Sequence, residues 1–359
     1  MRSVIQRIAT GPEMSKDISR EEARLAMRAI LEGQIDPVQA GIFLIALRMK
    51  RETDEENIGI LEALRDAGET ITVDVDVLID IADPYDGFTR TLPASPFLPA
   101  VLAACAVPAV CHGVERVGPK FGLTHRQVLG AAGQPVDLSP AEAAARIADP
   151  AIGWAYLDQR AYCPKLHALI RLRELIVKRP AITTAEPCIG PLRGRSETHL
   201  VTGYVHKGYP KVYTLLARHA GFDSALVVRG VEGGVIPSLQ KTGRFVYFRG
   251  AGVDQSLEID PSELGIDASA GAVAARHGQD ASTGRAADGA AEAGIAALGG
   301  EPGAAREGLV FSAAVCLFHL GRHPSPAAAA SAVREVLDRG LARARFEAGA
   351  TTTPRTDPR

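Results

Sequence analysis

The sequence predicts a small all-helical N-terminal domain followed by a large α/β domain with a mostly parallel central sheet. Three observations lead there. Helix start signals recur through residues 1–70. From about Ile71, short β-branched runs alternate with helical stretches, the pattern of a parallel sheet covered on both faces. No run of about 18 apolar residues occurs, so no membrane span is expected.

The elements follow in order. Ser19-Arg20-Glu21-Glu22 is a capping box ahead of a helix over Ala23–Leu31, which Gly33 ends. Asp36-Pro37-Val38-Gln39 opens the next helix. Its body, AGIFLIALRMK, is apolar nearly all round and calls for burial between helices or at a subunit contact. Thr53-Asp54-Glu55-Glu56 caps a third helix, with Ile58, Leu61 and Leu64 at helical spacing. Strands are expected over Val73–Ala82, Val107–Cys111, Leu200–Val205, Ala225–Arg229 and Phe245–Phe248. Helices are expected over Pro93–Ala106, Thr124–Ala132, Pro140–Ile147, Lys211–Ala220, Gly308–Leu320 and Pro326–Glu347. The domains are thus 1–70 and 71–347, with part of 160–190 packing back on the helices. Residues 268–306, rich in Ala and Gly, give no firm assignment. The tail, 348–359, is expected to be disordered.

With 359 residues, the chain can bury a large core. Only 5% of it is aromatic, so Ala, Val, Leu and Ile must fill that core. The formal net charge of -2 means that any nucleic-acid affinity must come from a local patch. Five cysteines form no CxxC pair, and buried free thiols in a reducing cytoplasm are expected. The opening MRSVIQRIATG lacks the apolar centre of a secretory signal.

The chemistry centres on Leu78–Thr91. An apolar run stops at Asp83-Pro84-Tyr85-Asp86-Gly87 and a polar turn leads into a helix. Strand, loop and helix is how α/β proteins hold phosphates. Yet this loop offers one glycine, a proline without an N–H, a bulky tyrosine and two carboxylates. Backbone amides cradle phosphate best where glycines allow close approach. Asp83 and Asp86 could hold a metal or a sugar hydroxyl, but paired Asp in a turn are commonly solvated turn formers. Three further loops are expected to converge with it: Cys111–Arg116 continuing to Lys120, the stretch around Thr183–Pro187, and Arg229–Gly234. His112 reads as a hydrogen-bonded loop residue more readily than as a base. The glycines of the last loop are weak phosphate signals, and Glu232 counts against them. Cys316, His319 and His323 share a helical stripe, but Gly321 and Pro324 mark a helix end, where His suits the dipole better than a metal.

The order of these motifs resembles the anthranilate phosphoribosyltransferase family, within the wider fold of nucleoside phosphorylases. GQIDPVQAGIFLIALRMKRETDEE is similar to its helical-domain signature. AVPAVCHGVERVGPKFG resembles its lysine-His-Gly-Asn strand and loop, and RLRELIVKRP the helix carrying its substrate-contacting arginine. ALGGEPGAAREGLVFSAAVCLF resembles its C-terminal helix signature, so the similarity covers nearly the whole chain except the tail.

The resemblance implies specific roles and specific departures. The family's pyrophosphate-binding Gly-Thr-Gly-Gly-Asp falls on Asp83, Pro84, Tyr85, Asp86 and Gly87, and its Mg-binding Asp-Glu pair on Val235 and Ile236. Its lysine becomes Cys111 and its asparagine Val114, whereas His112, Gly113, Lys120, Arg173 and Arg179 are kept. The ligand-binding candidates are therefore Asp83, Asp86, Gly87, His112, Gly113, Lys120, Arg173 and Arg179. Without metal and amide cradle, neutralising a pyrophosphate leaving group is hard, so the usual transfer is not expected. No cofactor is implied, with Mg²⁺ only if an altered transferase operates.

HGVE and RGVEGGV are similar to a divergent branch of the family associated with nucleic-acid binding along basic surfaces of a dimer. Residues 163–211 supply nine Lys or Arg against three Glu. The nucleic-acid candidates there are Arg193, Arg195, Lys207 and Lys211, with Tyr204 and Tyr209 interleaved for stacking. A cationic face is also commonly just solvated, or paired with acidic helices. Three functions stay open at this point. The leading one binds an anion, single-stranded nucleic acid or a phosphorylated small molecule, without standard donor chemistry. The second is a pentosyl transferase or phosphorylase with altered donor and acceptor. The third is an interaction protein, homodimeric through the apolar helix of the first domain.

Overall fold

The computed structural model describes residues 1–11, 13–267, 271 and 283–351. Four helices come first: α1 (Arg2–Ile8), α2 (Arg20–Leu31), α3 (Pro37–Lys50) and α4 (Asp54–Asp66). The predicted capping boxes are formed. Ser19 Oγ accepts the Glu22 N–H while the Glu22 carboxylate accepts the Ser19 N–H, and Thr53 and Glu56 repeat the exchange. Asp36 starts α3 by accepting the Val38 N–H. Only one side of α3 is buried, through Phe43, Leu44 and Leu47. On the other side Val38, Ile42 and Met49 are 69%, 42% and 75% exposed.

A short parallel pair joins β1 (Ile71–Thr72) to β5 (Leu192–Arg193). The main sheet holds β2 (Val77–Ala82), β3 (Ala109–Gly113), β4 (Trp154–Asp158), β6 (Glu197–Gly203), β7 (Ser224–Val228), β8 (Gly243–Arg249) and β9 (Gln255–Ile259). Their order is β4-β3-β2-β6-β7-β8-β9; the first five are parallel, and β8 and β9 run antiparallel to their neighbours. Strands β4 and β9 were not expected from the sequence. Of the predicted run Val73–Ala82 only Val77–Ala82 is strand, because the Val75 and Asp76 carbonyls accept from the N–H groups of Arg195, Ser196 and Glu197.

Side chains alternate across the sheet as a two-residue period requires. Ile79 and Ile81 pack with Cys111, Trp154, Val201 and Leu226 on one face. Leu78 and Ala82 pack with Val110, Leu157 and Leu200 on the other. That second core runs without a break into Met27, Phe43 and Leu61 of the helical domain.

The remaining helices are α5 (Leu98–Ala104), α6 (His125–Ala131), α7 (Pro140–Ala148), α8 (Gln159–Tyr162), α9 (Pro164–His167), α10 (Ile170–Ile176) and α11 (Ile182–Ala185). They continue with α12 (Tyr209–His219), α13 (Thr283–Leu298), α14 (Ala304–His319), α15 (Pro326–Asp338) and α16 (Leu341–Thr351). Helix α10 packs on α3, and α11 and α12 pack on α4. The single last helix expected over Pro326–Glu347 is two, because Gly340 adopts φ 68° and ends the first. Disorder was expected from 348 onward; instead α16 carries the chain to Thr351, and residues 352–359 lie outside the described residues. Of the unassigned stretch 268–306, residues 283–298 form α13, while 268–270 and 272–282 lie outside the described residues.

Candidate anion-binding site

The C-terminal end of the parallel sheet opens where β2, β6 and β7 run into loops, the usual place for a ligand in such folds. A cavity of about 110 Å³ sits there, lined in part by Asp83–Asp86, Arg179, Thr183, Tyr204, Tyr209 and Glu232. Three of the four expected loops therefore converge on it directly. The fourth, Cys111–Lys120, does not line it but is tied to two of the others through Lys120.

The Asp83–Gly87 loop is held from within. Asp83 is 3% exposed, and both its oxygens are engaged. One accepts the Val235 N–H at 2.7 Å; the other pairs with His125 Nε2 at 2.7 Å and accepts Ser95 Oγ. Tyr85 turns inward and its hydroxyl meets His112 Nδ1 and, at 2.7 Å, the Tyr162 hydroxyl. His112 Nε2 pairs with Asp80 Oδ1 at 2.6 Å, closing a buried chain Asp80–His112–Tyr85–Tyr162. Burial holds both tyrosine hydroxyls well above their ordinary pKa. His112 does not reach the cavity; it was expected as a ligand contact, and the strand register buries it instead. Gly113 ends β3 beside Tyr156. Gly87 adopts φ 74° against Gly122, where an added Cβ would stand 2.6 Å from a backbone carbon.

Asp86 faces cations. Arg179 donates to its Oδ2 through Nε at 2.9 Å and Nη2 at 2.6 Å, two charge-assisted hydrogen bonds to one oxygen. Lys120 Nζ stands 3.8 Å from the other oxygen and donates to the carbonyls of Gly87 at 3.0 Å and Glu232 at 3.2 Å. Burial pushes the Lys120 pKa down, with Asp86 opposing. Glu232 is the other internal anion. Its carboxylate accepts the N–H groups of Thr89, Arg90 and Thr91 at 3.0, 2.8 and 3.0 Å, and both threonine hydroxyls at 3.1 Å. Burial raises its pKa, but the backbone bonds outweigh that and hold it below the usual carboxylate range.

Several expected binders are committed elsewhere. Arg173 is 2% exposed and grips Glu186 with bonds of 2.8 and 2.6 Å, so its guanidinium does not line the cavity. Arg193 lies 3.9 Å over the Phe222 ring and donates to the carbonyls of Ala220 and Gly221; burial lowers its pKa to about 10. Arg195 pairs with Asp74 and Asp76. Lys207 and Lys211 are exposed. The sequence reading missed the roles of Glu186, Glu232, Asp74 and Asp76. A signal existed for the first alone, a glutamate placed after the basic run.

Beside the cavity an open groove of about 1010 Å³ runs between α3 and α12, over the turn that follows α10. Arg48, Arg51, Lys178 and Arg179 line it, with Glu52 as the only carboxylate. Burial raises the Glu52 pKa above the ordinary carboxylate value. Arg48 donates to the Tyr209 hydroxyl. The residues at the metal positions implied by the resemblance do not fit Mg²⁺. Val235 and Ile236 carry no oxygen donors on their side chains, and both Asp83 oxygens are already bonded. Among the described residues, no helix is long and apolar enough to cross a membrane.

Comparisons with known proteins agree with this architecture. The glycosyl transferase family's helical bundle domain matches residues 2–68, and its a/b domain matches residues 88–343. Anthranilate phosphoribosyltransferase of Rhodopseudomonas palustris is 27% identical over 348 residues, 96% of each chain. An uncharacterized protein of Aquifex aeolicus is 29% identical over 255 residues, 70% of this chain and 74% of its own. Among solved structures, anthranilate phosphoribosyltransferase from Thermus thermophilus superposes with a TM-score of 0.75 at 20% identity, covering 98% of both chains. The Saccharomyces cerevisiae enzyme in complex with PRPP and Mg gives a TM-score of 0.78 at 14% identity, again with 98% of both chains covered. With the a/b domain match alone spanning most of its length, the chain belongs to the glycosyl transferase family and is anthranilate phosphoribosyltransferase-like.

Proposed function

We propose that this protein binds single-stranded nucleic acid along the groove between α3 and α12, and does not perform standard phosphoribosyl transfer. The observation that carries this reading is charge. Arg48, Arg51 and Lys178 line the groove with one carboxylate, Glu52, and Arg179 beside them is shared with Asp86. Phosphates of a flexible strand would lie along the cations, and the Tyr209 ring offers a face for a base. Exposed Lys207 and Lys211 extend the cationic surface toward the start of α12. A strand suits an open groove of this size better than a small metabolite does. The exposed side of α3, with Val38, Ile42 and Met49, supports a homodimer through the helical domain. The test is fluorescence anisotropy with a labelled oligothymidine at about 50 and about 200 mM salt. Affinity should fall steeply between the two. A flat titration at the lower salt sinks the reading.

An altered pentosyl transferase is the second reading. It is favoured by the 96% coverage of an anthranilate phosphoribosyltransferase. Incubation with phosphoribosyl pyrophosphate, Mg²⁺ and anthranilate should release no pyrophosphate above background; sustained release would replace the first reading with this one.

A further inference from the structure

We propose that residues 352–359, which follow α16, dock in the cleft between α7 and the loop 133–138, with Arg355 and Arg359 set against Glu142 and Asp149. The cleft encloses about 670 Å³, and Gln134, Leu138, Glu142, Arg146 and Asp149 form part of its wall. It shares no lining residue with the cavity or the groove described above, so the proposal does not rest on the nucleic-acid reading.

Three independent observations select this occupant. The first is a waiting acceptor. Gln134 is 5% exposed, its Nε2 donates to the Phe346 carbonyl at 2.9 Å, and its Oε1 is buried without a hydrogen bond. A buried acceptor of this kind costs stability until a donor reaches it. The oxygen faces the last turn of α16, since a Cβ added to Gly349 would stand 2.9 Å from it. Thr352 and Thr353 bring the first N–H and hydroxyl donors after that turn.

The second is the path of the chain. Arg146 on the cleft wall donates to the Gly349 carbonyl at 2.7 Å. The residues after Thr351 therefore set out from the rim of the cleft, and an extended segment of this length reaches about 28 Å. A tether this short holds it near a millimolar effective concentration, so weak contacts suffice. The third is charge. Asp137 is already shared by Arg126 and Arg160. Glu142 and Asp149 instead accept the N–H groups of Ser139 and Ala151, each at 2.8 Å, and pair with no cation among the described residues. The segment brings two arginines, each preceded by a proline, against Asp357. The prolines reduce the chain entropy lost on docking and can pack on Leu138 and Ile152.

Benzoylphenylalanine at position 356 of the full chain is the probe, with photoadducts mapped by mass spectrometry. Adducts should fall within 133–152, in the same yield at every protein concentration. Arg355→Glu with Arg359→Glu leaves every described contact in place; it should cut that yield at least about tenfold and speed amide exchange over 133–138. Glu142→Lys with Asp149→Lys should also cut the yield, and all four changes together should restore it. Absence of adducts in the cleft, or a yield unmoved by Arg355→Glu with Arg359→Glu, overturns the proposal. A yield that rises with protein concentration overturns it too, and assigns the cleft to a second copy. If Glu142→Lys with Asp149→Lys does not fold, the comparison of wild type with the arginine variant decides alone.

Discussion

Asp86 is where one residue changes the character of the cleft. Its carboxylate is 2% exposed and takes both donors of an Arg179 side chain that is itself 38% exposed. An incoming phosphate must compete with that internal anion. Asp86→Asn should therefore raise oligonucleotide affinity by up to about tenfold, the scale of one freed charge contact. It should also lower stability by about 1 kcal/mol, because the buried Asp86 side chain loses its charge-assisted bonds to a partly exposed Arg179. Anisotropy and urea unfolding on the same variant check both signs. His319 gives a second prediction at this scale. It is buried, pairs with Ser224 Oγ at 2.8 Å, and burial pushes its pKa down to about 3. The fold holds it neutral while the unfolded chain protonates near pH 6.5. Its contribution is complete above that pH and is lost as pH falls toward 3, by at most about 1.4 kcal/mol per unit. In His319→Asn, the stability slope should flatten by about half a proton near pH 6.5 and by close to one proton near pH 5.

At the scale of elements, α3 and the loop after β2 follow different logic. Helix α3 buries Phe43, Leu44 and Leu47 and leaves Val38, Ile42 and Met49 to solvent in the single chain. Val38→Glu with Met49→Glu should leave the fold intact and convert the proposed dimer to a monomer; a wild type that is already monomeric by sedimentation velocity would overturn that dimer. The loop is fastened by Asp83 and by close contact of Gly87 with Gly122. Gly87→Ala should cost about 1–3 kcal/mol in thermal or urea unfolding, since the added Cβ meets backbone at a left-handed position.

The whole molecule is built on shared cores. The core under Leu78, Val110 and Leu157 continues through Met27, Phe43 and Leu61, so the helical domain completes one face of the sheet. Heat should unfold both domains in one transition with matching calorimetric and van't Hoff enthalpies. A fragment of residues 1–68 should be unstable alone. Two resolved transitions by calorimetry would contradict a shared core.

How much of this was legible in the sequence depends on the range of the interaction. Capping boxes and the strands Ala225–Arg229 and Phe245–Phe248 were readable because hydrogen bonds and side-chain period act between near neighbours. Strand β4, Trp154–Asp158, escaped because it contains no β-branched residue, and β9 because four of its five residues are not buried. By itself, the sequence determined the fold class, the placement of a cationic segment, and the presence of carboxylates and aliphatics where the family resemblance implies a phosphate loop and metal ligands. Only the tertiary structure decided which charges remain available. Arg173 went to Glu186, Arg195 to Asp74 and Asp76, Arg179 to Asp86, and Glu232 to amides more than 140 residues away. Charge pairing depends on distance in space, and the sheet brings these partners together across separations that no local pattern encodes.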